Sequence, residues 1–584
     1  MLNRRETLRA ALALAGTAGI GARCTAQTTA VSGYRPADVL RGPAGMAVSN
    51  SAAASSAGRD ILAAGGNAVD AAVAVAFALA VTWPEAGNIG GGGFMMIAPP
   101  EQDPVCVDYR ETAPQAVTAT TLAEQTDRRH PRMVGVPGTV RGLALAQQSH
   151  GRLSWQAVLQ PAIALAAGGC VVEAPLADSL NAVLAAVSKS TAPWHRPLEQ
   201  TFGHPQRRRW RAGDRLVQPV LAATLQRIAE EGPDEFYSGQ TARSLADYFE
   251  QHQGLITAED LEGYQAVLRQ PIRTNFAGHQ VWAAPPPSSG GVALRLALQM
   301  IEHVGMPDPG DAAWTPMTVH IVAEAMRRTF RERAAYLGDP DFTPLPAWLG
   351  RRAHAAKLAE SISRSRATDS RTLAGDIPLE TGPVESPQTT HFSVIDAEGM
   401  AVSNTYTLEA SWGSWLLDPA TGFVLNNEMG DFNPVPGVTD LKGQIGTAPN
   451  QLAPGKRMLS SQTPTIVRRD GKTVLITGSP GGRTIINTVL CVLVQHLLFA
   501  RPLPEAIAAP RFHHGWLPDQ LRIETGGQSR LGELRGRLES LGHRVVETRG
   551  QGAAHSIAIE PASGIRVGVA DGRRGGRVAA TLIG

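Results

Sequence analysis

Thr389, Thr390 and His391 open the run TTHFSVIDAEGMAVSNTYTLE, in which small hydroxyl side chains recur at alternate positions as far as Thr407. A threonine hydroxyl is a weak nucleophile unless a base sits beside it. A cut before Thr389 would create that base in the same residue, because a free α-amino group has a reference pKa of about 7.7–8.0. Such a centre attacks an amide carbonyl, forms an acyl-enzyme and passes the acyl group to water or to an amine. The preceding segment suits a cut. Residues 361–388 are polar, rich in small residues and turn formers, and almost free of apolar periodicity, which predicts a mobile loop open to cleavage or displacement.

The elements that must hold Thr389 follow from register. Asp396, Ala397, Glu398 and Gly399 separate two alternating runs. A three-residue hairpin loop with Gly399 in the left-handed conformation pairs Asp396 with Met400. Carried outward, this pairing sets Thr389 opposite Thr407. Alternation then gathers Thr389, Ser393, Ser403, Thr405 and Thr407 on a polar face, with Phe392, Val394, Met400, Val402 and Tyr406 on the packing face. His391 shares the Thr389 face by parity, where it either serves the site or braces the strand. An ordinary hairpin with a cross-strand threonine pair is the structural alternative.

Gly478-Ser479-Pro480-Gly481-Gly482 lies between a strand-forming run and the largely apolar run 485–494. Its backbone N–H groups are expected to gather at a helix start, where glycine permits close approach. Donors so placed suit an oxyanion, although a plain strand-to-helix turn fits the residues too. GNIGGGG at 87–93 lacks the Gly-Lys-Ser/Thr ending of a phosphate-binding loop and is expected to serve close backbone packing near the site. His513 and His514 point oppositely on a strand and have no spaced carboxylate or cysteine partner, so packing is expected rather than a metal site.

Seven blocks, in this order, resemble the gamma-glutamyltranspeptidase family: GNIGGGGFMMI (87–97), DYRETAP (108–114), QTTHFSVIDAEGMAVSNTYTLE (388–409), FVLNNEMGDF (423–432), MLSSQTPTIV (458–467), GSPGGRTIINTVL (478–490) and APRFHHGWLP (509–518). Members of this family are N-terminal-nucleophile hydrolases that cut themselves before a threonine. The resemblance covers nearly the whole mature chain. It implies an α+β fold, a four-layered α/β/β/α sandwich with two stacked, mainly antiparallel sheets. It also implies cleavage between Gln388 and Thr389 into a large chain, 27–388, and a small chain, 389–584, which remain together as a heterodimer sharing one domain.

In roles carried over residue by residue, Thr407 holds the Thr389 hydroxyl, and Gly481 and Gly482 form the oxyanion hole. A gamma-glutamyl substrate presents an α-carboxylate and an α-ammonium. Arg110, Ser460 and Ser461 match the positions that bind the first, and Glu428 and Asp431 those that bind the second. An arginine fork suits a carboxylate, and carboxylates suit an ammonium. No cofactor and no metal is implied. The chain departs from the family pattern in places. Glu409 stands where relatives carry asparagine or glutamate and contact the α-amino group. Trp412 and Trp415 replace an aromatic and a small residue, and are expected to narrow or reshape what passes over the site. Lys442 stands near an aromatic gate position in the lid, 433–457. The expected activity is hydrolysis or transfer on gamma-glutamyl amides such as glutathione. The alternatives are an acylase on another small acid amide, such as a glutaryl-cephalosporin or oxamate, and an unprocessed, silent binding protein.

Composition fits a compact enzyme. The 584-residue chain is 43% hydrophobic and 18% charged, with a net charge of +2 that favours neither nucleic acid nor a membrane surface. Residues 1–26 carry Arg4-Arg5, an Ala/Leu/Gly-rich stretch and small residues before a cut after Ala26, the pattern of a twin-arginine signal peptide and a periplasmic or secreted product. Cys24 would leave with it; Cys106, Cys170 and Cys491 sit in apolar contexts and read as buried packing residues. Residues 68–81 are too short to span a bilayer and read as a buried helix. Helices are expected over 221–232 and 317–338, hairpins around Asp470-Gly471 and within HSIAIEPASGIRVGVADG, and a turn-rich loop at 285–291.

Overall fold

The structure, a computed structural model, describes residues 38–123, 127–380, 389–526 and 531–581. Two sheets of seven strands form its centre. The first has the order Arg577–Ala580, Met46–Ser49, Thr390–Ile395, Ala401–Thr407, Gly92–Ala98, Val105–Tyr109, Val267–Arg269. The second runs Asp38–Gly42, Arg566–Ala570, Ser556–Ile559, Lys472–Thr477, Thr465–Arg469, His279–Ala283, Ile272–Phe276. Every ladder within them is antiparallel.

The central hairpin has the expected register: Thr390 pairs with Tyr406, His391 with Thr405 and Ile395 with Ala401. Its tip is fixed by Asp396, whose Oδ1 accepts the N–H groups of Glu398 and Met400 at 3.0 Å each, while Gly399 takes φ 93°. The other carboxylate oxygen accepts the N–H of Ala68 at 3.0 Å, at the positive end of helix Ala68–Thr82. The hairpin tip is thereby tied to the buried helix behind it. That helix is buried at all of its positions, as an apolar all-round sequence requires, and starts with a capping box between Asn67 and Asp70.

Layering follows from the two faces of each sheet. Phe392, Val394, Val402 and Tyr406 pack with helices Ala52–Ala63, Ala68–Thr82 and Thr139–His150. The polar face meets the second sheet: the Ser393 hydroxyl donates to His555 O at 2.8 Å, and that of Ser403 to Thr477 O at 2.9 Å. Met46, Phe94, Met96, Trp282, Ile466, Ile476 and Ile557 fill the rest of the space between sheets. Helices Gly290–Val304, Pro316–Tyr336 and Thr484–Leu493 cover the far side. The result is the four-layered α/β/β/α sandwich.

Other sequence expectations hold in detail. A helix spans Pro219–Glu231. Asp470 and Gly471 take φ 50° and 77°, the paired left-handed residues of a tight hairpin turn. Cys106, Cys170 and Cys491 are buried. Among the described residues, no helix is long and apolar enough to cross a membrane. The arginine side of helix Pro316–Tyr336 is buried rather than solvated: Arg327 and Arg328 bracket Glu324 at 3.1 and 2.7 Å. Residues 1–26, Gln388 and the last part of the pre-cleavage loop lie outside the described residues. Within 361–380, a 3₁₀ turn covers Ser370–Leu373, and Leu379–Glu380 pairs in parallel with Thr439–Asp440.

The glycine run explains how strands crowd around the hairpin. A Cβ on Gly91 would collide with Thr407 O, and one on Gly93 with Thr405 O. Gly91→Ala is therefore predicted to destabilise the fold by about 1–3 kcal/mol, as overpacking does, and to displace Thr407. Thermal unfolding and the yield of processed chains read the two effects, which a neighbouring exposed substitution should not produce.

Candidate active site

At the rim of the first sheet the Thr389 hydroxyl donates to Thr407 Oγ1 at 3.3 Å. Thr407 Oγ1 also accepts the backbone N–H of Glu409 at 2.9 Å, so the strand end and the following turn fix it from two sides. Thr389 is only 5% exposed. Its neighbours are committed elsewhere. The Thr390 hydroxyl donates to Asn50 Oδ1 at 3.0 Å, and His391 Nδ1 and Nε2 lie 2.9 and 3.2 Å from the hydroxyls of Thr405 and Ser393. Burial holds the His391 imidazole well below its usual range, so it is a neutral brace between strands.

The second sheet brings the glycine turn to this point. Strand Lys472–Thr477 ends at Gly478, where a Cβ would collide with the His391 ring. Gly481 and Gly482 take φ 132° and 53°, and helix Thr484–Leu493 follows. Ser479 fastens the turn, its Oγ accepting the Ala553 N–H at 3.0 Å. Gly482 lines the same pocket as Thr389 and Thr407; Gly481 lies one residue behind it and does not line the pocket.

Arg110, Glu409, Glu428, Asp431, Ser460 and Ser461 all line this pocket. Arg110 follows strand Val105–Tyr109 and is 1% exposed. Its Nη1 lies 2.7 Å from Glu428 and 3.2 Å from Glu111, and its Nη2 bonds Asp431. One buried guanidinium thus faces three carboxylates. Burial pushes the Glu111 carboxyl up to about 7 against the opposing pull of Arg110. Burial also raises Glu428 well above the usual range, with Glu111 and Asp431 adding to the shift. Such a cluster keeps a proton near neutrality, because like charges at short range cannot all ionise. Glu409, held at φ 75°, pairs with Arg128 at 2.5 Å.

The serine pair is braced from the turn-rich loop at 285–291. Ser289 donates to Ser460 O through its N–H at 2.8 Å and its hydroxyl at 2.6 Å, and Ser460 N–H donates to Pro287 O at 2.9 Å. Arg333 crosses from helix Pro316–Tyr336 to donate to Ser461 Oγ at 2.9 Å and to Ser289 Oγ at 2.8 Å.

Sequence reasoning missed Glu111, Arg128, Arg333 and Arg483. Glu111 had a signal, its place beside Arg110, but strand alternation ends at Tyr109 and parity no longer applies. Arg333 sits on the side of a helix that composition alone reads as solvated. The expectation for Trp412 and Trp415 is corrected. Both take left-handed φ, 61° and 62°, and line a separate cavity of about 740 Å³ beyond the Glu409 turn, not the catalytic pocket. Trp412 packs edge-on against Phe202, and Trp415 lies under Arg129. His513 and His514 are buried in different networks, with Asn487 at 2.7 Å and Asp519 at 3.2 Å.

Two stacked antiparallel sheets between helical layers, with a paired threonine at the head of a central strand, define the N-terminal-nucleophile hydrolase class. Comparison with known proteins narrows the class. Residues 54–581 match the gamma-glutamyltranspeptidase family model. The chain is 42% identical over 534 residues to the glutathione hydrolase proenzyme of Escherichia coli strain K12, covering 89% of each. It is 34% identical to the acylase ACY 1 proenzyme of Pseudomonas sp. strain SE83, covering 89% of this chain and 90% of the relative. A crystal structure of cephalosporin acylase from Bacillus halodurans superposes with TM-score 0.82 at 26% identity, over 96% of this chain and 99% of the other. The chain belongs to the gamma-glutamyltranspeptidase family.

The three-carboxylate cluster makes a pH prediction. As pH rises through about 7, Glu111 loses its proton and adds a negative charge beside Arg110. KM for a donor bearing an α-carboxylate is therefore expected to rise across that range, and Glu111→Gln to flatten the rise. Initial-rate kinetics at several pH values read this directly.

Proposed function

We propose that this chain is an exported, self-processing gamma-glutamyltransferase and hydrolase, acting on gamma-glutamyl amides such as glutathione. The observation that carries the reading is the convergence of the Thr389–Thr407 pair, the Gly482 turn and the Arg110–Glu428–Asp431 cluster on one pocket. Cleavage between Gln388 and Thr389 frees an α-amino group that takes the proton of the Thr389 hydroxyl. The hydroxyl attacks the gamma-carbonyl, the Gly482 N–H at the pocket wall stabilises the oxyanion with the Gly481 N–H of the same turn as second donor, and the amine leaves. Water or an amino acid or peptide amine then resolves the ester.

Charge selects the acyl group. Arg110, with the hydroxyls of Ser460 and Ser461, takes the α-carboxylate. Glu428 and Asp431, assisted by Glu409, take the α-ammonium. Glu428 Oε1 is buried and has no hydrogen-bond partner among the described residues, as an acceptor reserved for a ligand cation would be. A glutaryl group lacks the ammonium and would leave Glu428 Oε1 without a partner and the negative charge that Arg110 only partly offsets without a counter-charge, which disfavours the acylase alternative despite the kinship with ACY 1. The family kinship and the signal-peptide pattern at 1–26 support an exported heterodimer of chains 27–388 and 389–584.

Denaturing electrophoresis with N-terminal sequencing should show a small chain beginning at Thr389, and Thr389→Ala a single inactive chain. A gamma-glutamyl anilide is expected to turn over at least roughly 100-fold faster than its glutaryl counterpart, the scale of discrimination that unpaired buried polar groups provide. Equal rates would overturn the substrate assignment, as would an Arg110→Ala enzyme of unchanged KM.

A further inference from the structure

Arg483 follows Gly482 directly and lines the same pocket, and its guanidinium grips three backbone carbonyls. Nη1 donates to Lys442 O at 2.9 Å, and Nη2 to Gly515 O at 2.9 Å and Leu517 O at 2.8 Å. Lys442 lies at the tip of the lid. There Asp440 Oδ1 accepts the N–H groups of Lys442 and Gln444 at 2.9 and 2.8 Å, closing a tight loop. Gly443, at φ 99°, passes so near the guanidinium that a Cβ would collide with it. Gly443, Gln444 and Ile445 also border a small cavity that shares Arg333 and Asp431 with the catalytic pocket. The lid tip is therefore fastened at the edge of the acyl site, by the residue next to the glycine turn.

We propose that Arg483 is a positioning residue that latches the lid to the glycine turn and so sets how the acyl-enzyme divides between transfer and hydrolysis. This rests on the function proposed above. A guanidinium fork is the right device, since one rigid plane can hold the lid carbonyl and two carbonyls of the 515–517 loop at once. Lys442 contributes its carbonyl, not its ammonium, and its side chain is exposed. With the lid fastened, the wall that orients an acceptor amine is held in place, whereas water needs no such positioning, so the amine captures a larger share. Glycine at 443 is part of the latch, because any side chain there displaces the guanidinium from Lys442 O.

The test has two independent readouts on the full-length processed protein. The first is the ratio of transfer to hydrolysis with a gamma-glutamyl anilide and a fixed concentration of glycylglycine. Both products come from one acyl-enzyme, so the ratio is insensitive to the rate of acylation. Arg483→Ala and Gly443→Ala are each expected to lower it at least threefold, and the double variant to lower it no further than Arg483→Ala alone. Arg483→Lys should restore part of the loss. The second readout needs no substrate: endoproteinase Lys-C should cut after Lys442 at least tenfold faster in Arg483→Ala than in the wild type. An unchanged ratio in both single variants, or unchanged cutting at Lys442, overturns the latch. Should Arg483→Ala fail to fold, Gly443→Ala decides alone by the same two readouts. Failure of wild-type turnover would instead overturn the functional reading and leave the proteolysis result to judge the latch.

Discussion

Everything in this site depends on one hydrogen-bonded contact, the hydroxyl of Thr389 against that of Thr407. It exists because a tight hairpin fixes strand register, and a one-residue slip would send Thr407 to the opposite face. The register is held from several directions. Asp396 closes the hairpin and docks it onto the helix behind, the glycine run lets strand Gly92–Ala98 lie against the partner strand, and Ser393 and Ser403 bond the second sheet. The polar residues that make this strand pair unusual in a core are the same ones that join the two sheets. Packing and chemistry here draw on a single alternation.

The second constraint is electrostatic. A buried arginine with three carboxylates around it is an unbalanced group, and imbalance in a dry pocket favours a ligand that completes it. The zwitterionic acyl donor proposed above would do so, bringing an anion for Arg110 and a cation for the acids. Burial raises Glu111 and Glu428, with the neighbouring carboxylates adding to the shift, which links substrate capture to pH.

Much of this was legible in the sequence because it is local. The hairpin register follows from Gly399 and period-two alternation, and the glycine turn from its place between a strand and an apolar helix. What escaped depends on crossings between distant elements. Arg333 reaches Ser461 from a helix more than a hundred residues earlier, and that helix is covered by Ser361, Ser370 and Leu373 on one side, Thr447 of the lid and Asp519, all distant in sequence. Trp412 and Trp415 are expected over the site from the resemblance alone, where they replace an aromatic and a small residue of the family pattern. Left-handed backbone at Glu409 and at both tryptophans turns them to the other side of the wall, which no periodicity announces.

The central claim is that Thr389, once freed, carries the acyl group. Rapid acid quench during turnover of a gamma-glutamyl donor, followed by peptide mass spectrometry of the small chain, tests it most directly. A gamma-glutamyl ester on an N-terminal Thr389 is the predicted result. An adduct on any other residue, or sustained turnover by a chain still intact across Gln388 and Thr389, would contradict it.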